Sequence, residues 1–185
     1  MRPSRYSRKE ILQKLSEVFR REGYNGASMA DLGAAVGLGK ASLYQKFPGG
    51  KAQIGAEVLA EIQQTFEIRV LATLRGQGTP DIRFKKMLDA ACEFYGDGNV
   101  SCLVETLSLG EAGQLYRTAL HDAVQTWRKA LIELARAAGR ASVKANIWAE
   151  VVLTSIQGAL VLARATKDPR IFRRVLKRLE HDFVA

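Results

Sequence analysis

Two adjoining stretches decide the fold of this protein: SMADLGAAVG over residues 28–37 and LGKASLYQKF over residues 38–47. The first begins with Ser28, whose hydroxyl can cap a helix, and it has Asp31 in the first turn, where the helix dipole favours an anion. Gly37 ends this helix after barely two turns, and another short helix over residues 40–47 begins a few residues later. Two short helices joined this tightly predict a helix-turn-helix.

Outward from this pair, apolar residues recur at helical spacing along nearly the whole chain, and no sustained alternation predicts a strand. Upstream, a helix capped by Ser7 and Glu10 ends near Gly23 and buries one stripe, namely Ile11, Leu12, Leu15, Val18 and Phe19. Downstream, six more helices are expected over residues 51–74, 81–95, 103–111, 114–138, 143–166 and 169–183. The predicted fold is all-α with about nine helices: a three-helix helix-turn-helix domain over residues 1–50 and a helical bundle over residues 51–185.

The second helix of the pair has two unlike sides, because each residue turns the helix by about 100°. Leu43 and Phe47 mark its buried side. The opposite side is small and polar, with Ala41, Ser42 and Gln45, flanked by Lys46. Three side chains suited to phosphate contacts border it, namely Lys40, Tyr44 and Lys51. This face suits a DNA major groove, where glutamine can pair with adenine, although an ordinary solvated helix fits the face alone equally well.

The charge of the chain is concentrated at its N-terminal end. The net charge is +9 over 185 residues, and residues 1–51 hold +6 of it. Lys and Arg gain affinity for a polyanion by releasing counterions from phosphates, so a nucleic-acid partner is expected, with solvated surface lysines as the equal alternative. Two cysteines are too few for a disulfide framework, and residues 1–9 lack the apolar core of a signal peptide. These features predict a cytoplasmic protein.

Membrane and enzyme functions find little support in the sequence. The apolar run over residues 146–163 includes Glu150 and Gln157, so a buried core helix and no membrane partner are expected. His121 and His181 lack metal-ligand spacing, and no phosphate-binding loop is present. No enzyme activity, cofactor or metal is therefore predicted. A basic helical protein that binds an acidic partner or an anionic membrane surface remains the alternative to DNA binding.

The two quoted stretches, with Lys51, resemble the TetR/AcrR family of bacterial repressors. The matching positions are Ser28, Gly37, Leu43, Tyr44, Phe47 and Lys51, and the resemblance covers roughly residues 8–60. Gly39 departs from the pattern, because the family often has a capping Ser or Thr there. The resemblance implies a transcriptional regulator, a repressor released from a palindromic operator by a small-molecule ligand. It further implies DNA contacts through Ser28, Lys40, Ala41, Ser42, Tyr44, Gln45, Lys46 and Lys51.

The resemblance also implies a homodimer through the last two helices and an apolar or aromatic ligand inside the bundle. The helix over residues 143–166 is apolar nearly all round and must be covered on two faces. The interface is expected at Val152, Ile156, Gly158, Ala159, Val175 and Leu179. The pocket is expected at Phe66, Phe84, Met87, Phe94, Leu107, Trp127, Trp148 and Gln157, with Glu105 as a further polar group. Packed core is the alternative for these aromatics, and buried, inert thiols are expected at Cys92 and Cys102 in preference to an oxidant sensor.

Overall fold

A computed structural model describes residues 6–184, so residues 1–5 of the predicted polar N-terminus lie outside the described residues. The described chain contains ten α-helices and two short 3-10 helices, Leu71–Arg75 and Gly96–Gly98. The α-helices are α1 (Arg8–Gly26), α2 (Met29–Ala35), α3 (Lys40–Lys46), α4 (Gly50–Arg69), α5 (Pro80–Phe94), α6 (Leu103–Leu107), α7 (Gly110–Leu115), α8 (Arg117–Ala137), α9 (Ser142–Thr166) and α10 (Arg170–Val184). The all-α prediction is confirmed.

The chain forms two compact units. The first unit comprises the chain up to Gln64 together with Leu103–His121, and the second comprises Thr65–Cys102 together with the chain from Asp122 onward. Helices α6 and α7 therefore fold with α1–α3, although the predicted boundary after residue 50 assigned them to the C-terminal part of the chain. The division of functions between a DNA-binding part over residues 1–50 and a ligand-binding and dimerisation part over residues 51–185 stays a prediction.

The first unit is built on one hydrophobic core. Ser7 caps α1 in a capping box with Glu10, as the sequence predicts. The helix kinks at the predicted end, Gly23, where φ is 71°, and helical structure continues to Gly26. The predicted apolar stripe of α1 is buried, and it shares a core with α2, α3 and α4 through Leu32, Leu43, Phe47, Ile54 and Val58.

The predicted helix pattern is wrong in two parts of the chain. The helices expected over residues 103–111 and 114–138 are three helices, α6, α7 and α8. Helix α6 does not continue into α7, because Gly110 has a φ of 58°, which a continuing right-handed helix does not allow. The long helix expected from residue 51 to 74 ends at Arg69. A 3-10 turn replaces its last residues and buries Leu71 and Leu74.

The second unit consists of helices packed around aromatic side chains. Helix α9 is long and apolar enough to cross a membrane by length and composition alone, yet one of its sides is buried within this unit, through Ala145, Ala149, Val152, Leu153, Ile156, Ala159, Leu160 and Ala163. Helix α10 packs against α9 and contributes Phe172, Leu176, Leu179 and Phe183 to the core. The prediction of a core helix therefore holds for only one side of α9 in a single chain.

Candidate nucleic-acid interface

Hydrogen bonds between Ser28 and Asp31 fix the start of α2. The Asp31 backbone N–H donates to Ser28 Oγ at 3.1 Å, and the Ser28 backbone N–H donates to Asp31 Oδ2 at 3.0 Å. The Ser28 hydroxyl also donates to Asp31 Oδ2, at 2.5 Å. This bond, with the backbone N–H bond to the same oxygen, favours the ionised carboxylate and holds the pKa of Asp31 below its ordinary value. Ser28 therefore caps α2, as the sequence predicts, and Asp31 completes a capping box with this exposed serine.

Two glycines make the turn between α2 and α3 possible. Gly37 has a φ of 66°, a conformation that glycine adopts at little cost. At Gly33 the Leu38 backbone N–H donates to the Gly33 carbonyl at 2.8 Å, and a Cβ there would lie 2.5 Å from the Leu38 carbonyl oxygen. The role of Gly33 in this turn was not predicted from the sequence. An isolated glycine within a helical pattern is the signal that could have indicated it.

The two sides of α3 differ as predicted in their exposure. Leu43 and Phe47 are fully buried. The opposite side is open to solvent at Lys40, Ala41, Ser42 and Gln45, with Tyr44 exposed by 42% and Lys46 half-buried. Phe47 is covered by the guanidinium of Arg8, which lies 4.1 Å from the ring centroid and is also ion-paired with Glu57 of α4. The buried side of α3 is therefore packed against the rest of the first unit, which leaves its polar side facing solvent.

The first turn of α4 places Lys51 close to the end of α3. The Gly49 backbone N–H donates to Gln53 Oε1 at 2.8 Å, which caps this turn. Lys51 Nζ donates to the Tyr24 carbonyl oxygen at 3.0 Å and lies 4.6 Å from the Tyr24 ring centroid, a cation–π distance. Tyr44 reaches the same junction, since a Cβ on Gly50 would lie 3.2 Å from its Cε1. Tyr44 and Lys51, the two residues predicted to contact phosphates, therefore lie in one region of the first unit.

The residues predicted for a ligand pocket fall into separate groups. Phe66, Phe94 and Trp127 belong to one aromatic cluster, in which the Phe66 ring lies 4.7 Å from Trp127 and 5.1 Å from Phe94. Phe84 and Trp148 belong to a second cluster, 5.0 Å apart and completed by Phe183. Met87 is buried, Gln157 and Glu105 are half-buried, and Leu107 lies in the core of the first unit.

The residues predicted for the dimer interface are mostly occupied within one chain. Val152, Ile156, Ala159 and Leu179 are buried in the second unit, whereas Gly158 and Val175 are partly accessible. A different face of α9 is open to solvent, and its apolar members lie at helical spacing. We call them the α9 stripe: Val143, Ile147, Val151, Gly158 and Leu162. A Cβ on Gly158 would meet no atom within 4 Å.

The two cysteines and the two histidines give no indication of an oxidant sensor or a metal site within the described residues. Burial, followed by the neighbouring Asp97 carboxylate, raises the pKa of the Cys92 thiol to about 11, so it stays protonated and weakly nucleophilic at neutral pH. Cys102 is buried and accepts a hydrogen bond from Tyr95 Oη at 3.6 Å. His121 and His181 are exposed, and no group of three potential metal ligands occurs within residues 6–184.

A helix-turn-helix with an exposed polar face on its second helix, joined to a larger helical unit, defines a DNA-binding regulatory protein. The profile of the LmrA/YxaF-like transcriptional regulator C-terminal domain matches residues 84–178, more than half of the chain. The profile of bacterial regulatory proteins of the tetR family matches residues 11–58. The chain therefore belongs to the TetR family of transcriptional regulators, as the sequence resemblance predicts.

Individual relatives agree with this assignment. The HTH-type transcriptional regulator LmrA of Bacillus subtilis is 26% identical over 88% of this chain and 88% of its own length. The HTH-type transcriptional repressor DhaR of Mycobacterium sp. strain GP1 is 27% identical over 87% of this chain and 84% of its own. A solved cysteine variant of the TetR-family regulator CifR, complexed with 26-base-pair operator DNA, shares the fold, with a TM-score of 0.78, 23% identity and coverage of 97% and 98% of the two chains.

Proposed function

We propose that this TetR-family regulator is a repressor that binds a palindromic operator as a homodimer and leaves it when a small apolar or aromatic molecule binds. The observation that carries this proposal is the small, polar, exposed side of α3. It is formed by Lys40, Ala41, Ser42 and Gln45, and it lies opposite the buried side chains of Leu43 and Phe47. Short side chains allow a helix to approach base edges closely in the major groove. The repressor name of DhaR supports the direction of control.

The residues of this surface have different roles in the proposal. Gln45 reads a base, because its amide can pair with both hydrogen-bonding groups of adenine in the major groove. Lys40, Ser42 and Lys46 contact base edges or neighbouring phosphates, and Ala41 allows close approach. Ser28, Tyr44 and Lys51 contact phosphates, which set the register of the protein on the duplex without reading its sequence.

Double-stranded DNA is the proposed partner, and the cytoplasm is the proposed site of action. Residues 1–50 form the DNA-reading part, with Lys51 at its border, and residues 51–185 carry dimerisation and ligand binding. The operator complex of CifR supports a duplex partner for a chain of this fold. The concentration of positive charge in residues 1–51 supports the same partner through counterion release.

The proposed dimer contact is the α9 stripe packed against its own copy. Its members Val143, Ile147 and Leu162 are more than half exposed in a single chain, at 72%, 57% and 54%. A two-fold axis brings a surface against itself, so a self-complementary apolar stripe has a second copy of the chain as its natural partner. The open space at Gly158 allows the two helices to approach closely. Val175 of α10, which is half-buried in a single chain, stays a proposed member of the interface.

The proposed ligand binds at the cluster of Phe66, Phe94 and Trp127 in the second unit. Trp127 is 6% exposed, and its Nε1–H has no hydrogen-bond acceptor among the described residues. An unpaired buried donor costs about 1–3 kcal/mol, and a ligand that supplies an acceptor recovers that cost. The ligand is therefore a molecule with an apolar or aromatic body and one acceptor, such as a carbonyl or ether oxygen, that accepts from Trp127 Nε1.

Selection of bound duplexes from a random pool tests the DNA-binding part of the proposal. The expected result is an enriched palindrome whose half-sites lie about one helical turn apart, or a multiple of that distance. Binding to all duplexes and to heparin with equal affinity would replace the proposal with a basic interaction protein that binds polyanions through charge alone.

Thermal-shift screening of acceptor-bearing aromatic compounds tests the ligand part. We expect the stabilising compounds to weaken operator affinity, because a ligand releases DNA only by preferring the non-binding arrangement. Trp127→Phe keeps the apolar body and removes the donor, so it should weaken the binding of these compounds about 3- to 10-fold. Stabilising compounds that leave operator affinity unchanged would contradict induction.

A further inference from the structure

Tyr116, the residue between α7 and α8, fits into a notch in α4. Its Oη donates a hydrogen bond to the Ala52 carbonyl oxygen at 2.9 Å. The notch exists because residue 55 is glycine: a Cβ there would lie 2.2 Å from Tyr116 Oη and 2.8 Å from its Cζ. Glycine in a helix interior costs about 1 kcal/mol relative to alanine, so at this position it trades helix stability for close contact with a tyrosine far along the chain.

The same tyrosine packs against Tyr24, which holds Lys51. The rings of Tyr116 and Tyr24 meet edge to face, with centroids 5.7 Å apart. Tyr24 is 5% exposed and stacks on Phe19 at 5.8 Å. Its carbonyl oxygen accepts the hydrogen bond from Lys51 Nζ, and its ring faces the ammonium group. A displacement of Tyr24 would therefore displace the Lys51 ammonium group.

The geometry also favours a fixed hydroxyl on Tyr116. Burial, with the neighbouring Tyr24 hydroxyl, raises the pKa of Tyr116, so its Oη stays protonated and donates to Ala52 at every physiological pH.

The start of α7 is close to the end of α1 as well, because a Cβ on Gly110 would lie 3.0 Å from Asn25 Nδ2. Two contacts therefore tie this part of the chain to the end of α1 and the beginning of α4.

We propose that Tyr116 is a positioning residue for operator binding: it holds Tyr24 and the first turn of α4 where Lys51 meets a DNA phosphate. This inference rests on the proposed phosphate contact of Lys51. In this inference a buried residue far outside the helix-turn-helix sequence supports the DNA-binding surface from behind. Gly55 then has the role of leaving room for the tyrosine ring.

Tyr116→Phe is the first test, because it keeps the ring and removes only the hydroxyl, with its hydrogen bond to Ala52 and its interaction with the Tyr24 hydroxyl. We expect operator affinity to fall about 3- to 10-fold, in line with the loss of one hydrogen bond. In a Lys51→Ala background the same change should cost less than about 2-fold, since the two residues act through one contact. Tyr95→Phe, which removes a buried hydroxyl from the second unit, is the matched control and should leave affinity unchanged.

A measurement without DNA separates this inference from the proposed function. Lys51 labelling by acetic anhydride, followed by mass spectrometry, should become about 3-fold faster in Tyr116→Phe, while labelling of Lys46 stays the same. Unchanged Lys51 labelling, or an affinity loss of equal size with and without Lys51, would overturn the positioning role. Wild-type protein that selects no duplex would overturn the proposed function, and the labelling result would then still report on Tyr116 and Lys51.

Gly55→Ala tests the notch itself. The new methyl group must displace the Tyr116 ring, so we expect operator affinity to fall at least 10-fold although alanine favours the helix. The matched control is Gly26→Ala in α1, where a Cβ would make an ordinary contact of 3.6 Å with Glu22. Equal affinities for the two alanine variants would contradict the inference.

Discussion

Helices α3 and α9 each bury one side in their own compact unit and expose the other, but the exposed sides differ in chemistry. On α3 the open side is small and polar, and lysines border it. On α9 the open side is the apolar α9 stripe. A polar face is stable in water and is free to meet base edges and phosphates, whereas a contiguous apolar face is stabilised by burial against another apolar surface. This difference is the physical basis for proposing DNA as the partner of α3 and a second copy of the chain as the partner of α9.

The largest expected effect comes from a charge in the α9 stripe. Ile147→Glu would place two unpaired carboxylates at the proposed dimer contact, and burying an unpaired charge costs several kcal/mol. We expect the dimer dissociation constant to rise at least about 100-fold and operator affinity to fall with it, measured by analytical ultracentrifugation over a dilution series. Lys129→Glu on the exposed side of α8 is the control. A variant that stays dimeric at submicromolar concentration would move the interface away from this stripe.

The next effect concerns base readout by α3. Gln45→Ala should remove about 1–3 kcal/mol of discrimination at one base position in each half-site, because the variant cannot form a bidentate amide–adenine pair. Repeating the duplex selection with this variant measures the change. Ser42→Ala on the same face provides a comparison at a neighbouring position. If the selected sequence stayed the same in Gln45→Ala, the groove-facing side of α3 would have to be reassigned.

A smaller and uniform effect is expected at the border of this face. Lys51→Ala should weaken binding to the operator and to unrelated duplexes by the same factor, about 3- to 10-fold, because a phosphate contact carries no sequence information. The slope of log affinity against log salt should flatten by about 0.9 for each phosphate that the variant no longer neutralises. Titrations from low to physiological salt measure it, and an unchanged slope would show that the Lys51 ammonium group meets no phosphate.

The sequence predicted the helix-turn-helix well because its determinants are close together in the chain. Ser28 and Asp31 cap a helix within four residues, Gly37 makes a local turn, and the spacing of Leu43 and Phe47 marks the buried side. Each of these features acts through backbone geometry that neighbouring residues alone determine.

Features that depend on distant residues were not predictable in this way. Tyr116 and Ala52 are 64 residues apart, so no local pattern joins them, and the assignment of α6 and α7 to the first unit depends on such contacts. In α9 the pattern shows that all sides are apolar, but the packing of α10 and the rest of the second unit decides which side the chain itself covers. The predicted interface residues Val152 and Ile156 are accordingly buried within the chain.

The smallest expected effects concern the first residues of the same two helices. The N-caps of α3 and α9 are Gly39 and Ala141, both with extended backbone and neither with a side-chain hydrogen bond. Serine fits both conformations, and replacing an alanine cap is worth about 1 kcal/mol, whereas replacing a glycine cap is worth only a few tenths. Ala141→Ser should therefore raise the free energy of unfolding more than Gly39→Ser in urea titrations at fixed protein concentration.

Operator affinity should respond in the opposite order. The hydroxyl of Gly39→Ser lies at the start of the DNA-facing helix and can donate to a phosphate, so we expect about a 2- to 5-fold gain in affinity. Ala141→Ser should leave operator affinity unchanged, because its hydroxyl lies at the start of the helix that we propose contacts a second copy of the chain and not DNA. If Ala141→Ser raised operator affinity as much as Gly39→Ser, the gain would come from general stabilisation, and the distinction between a DNA-facing α3 and a protein-facing α9 would lose this support.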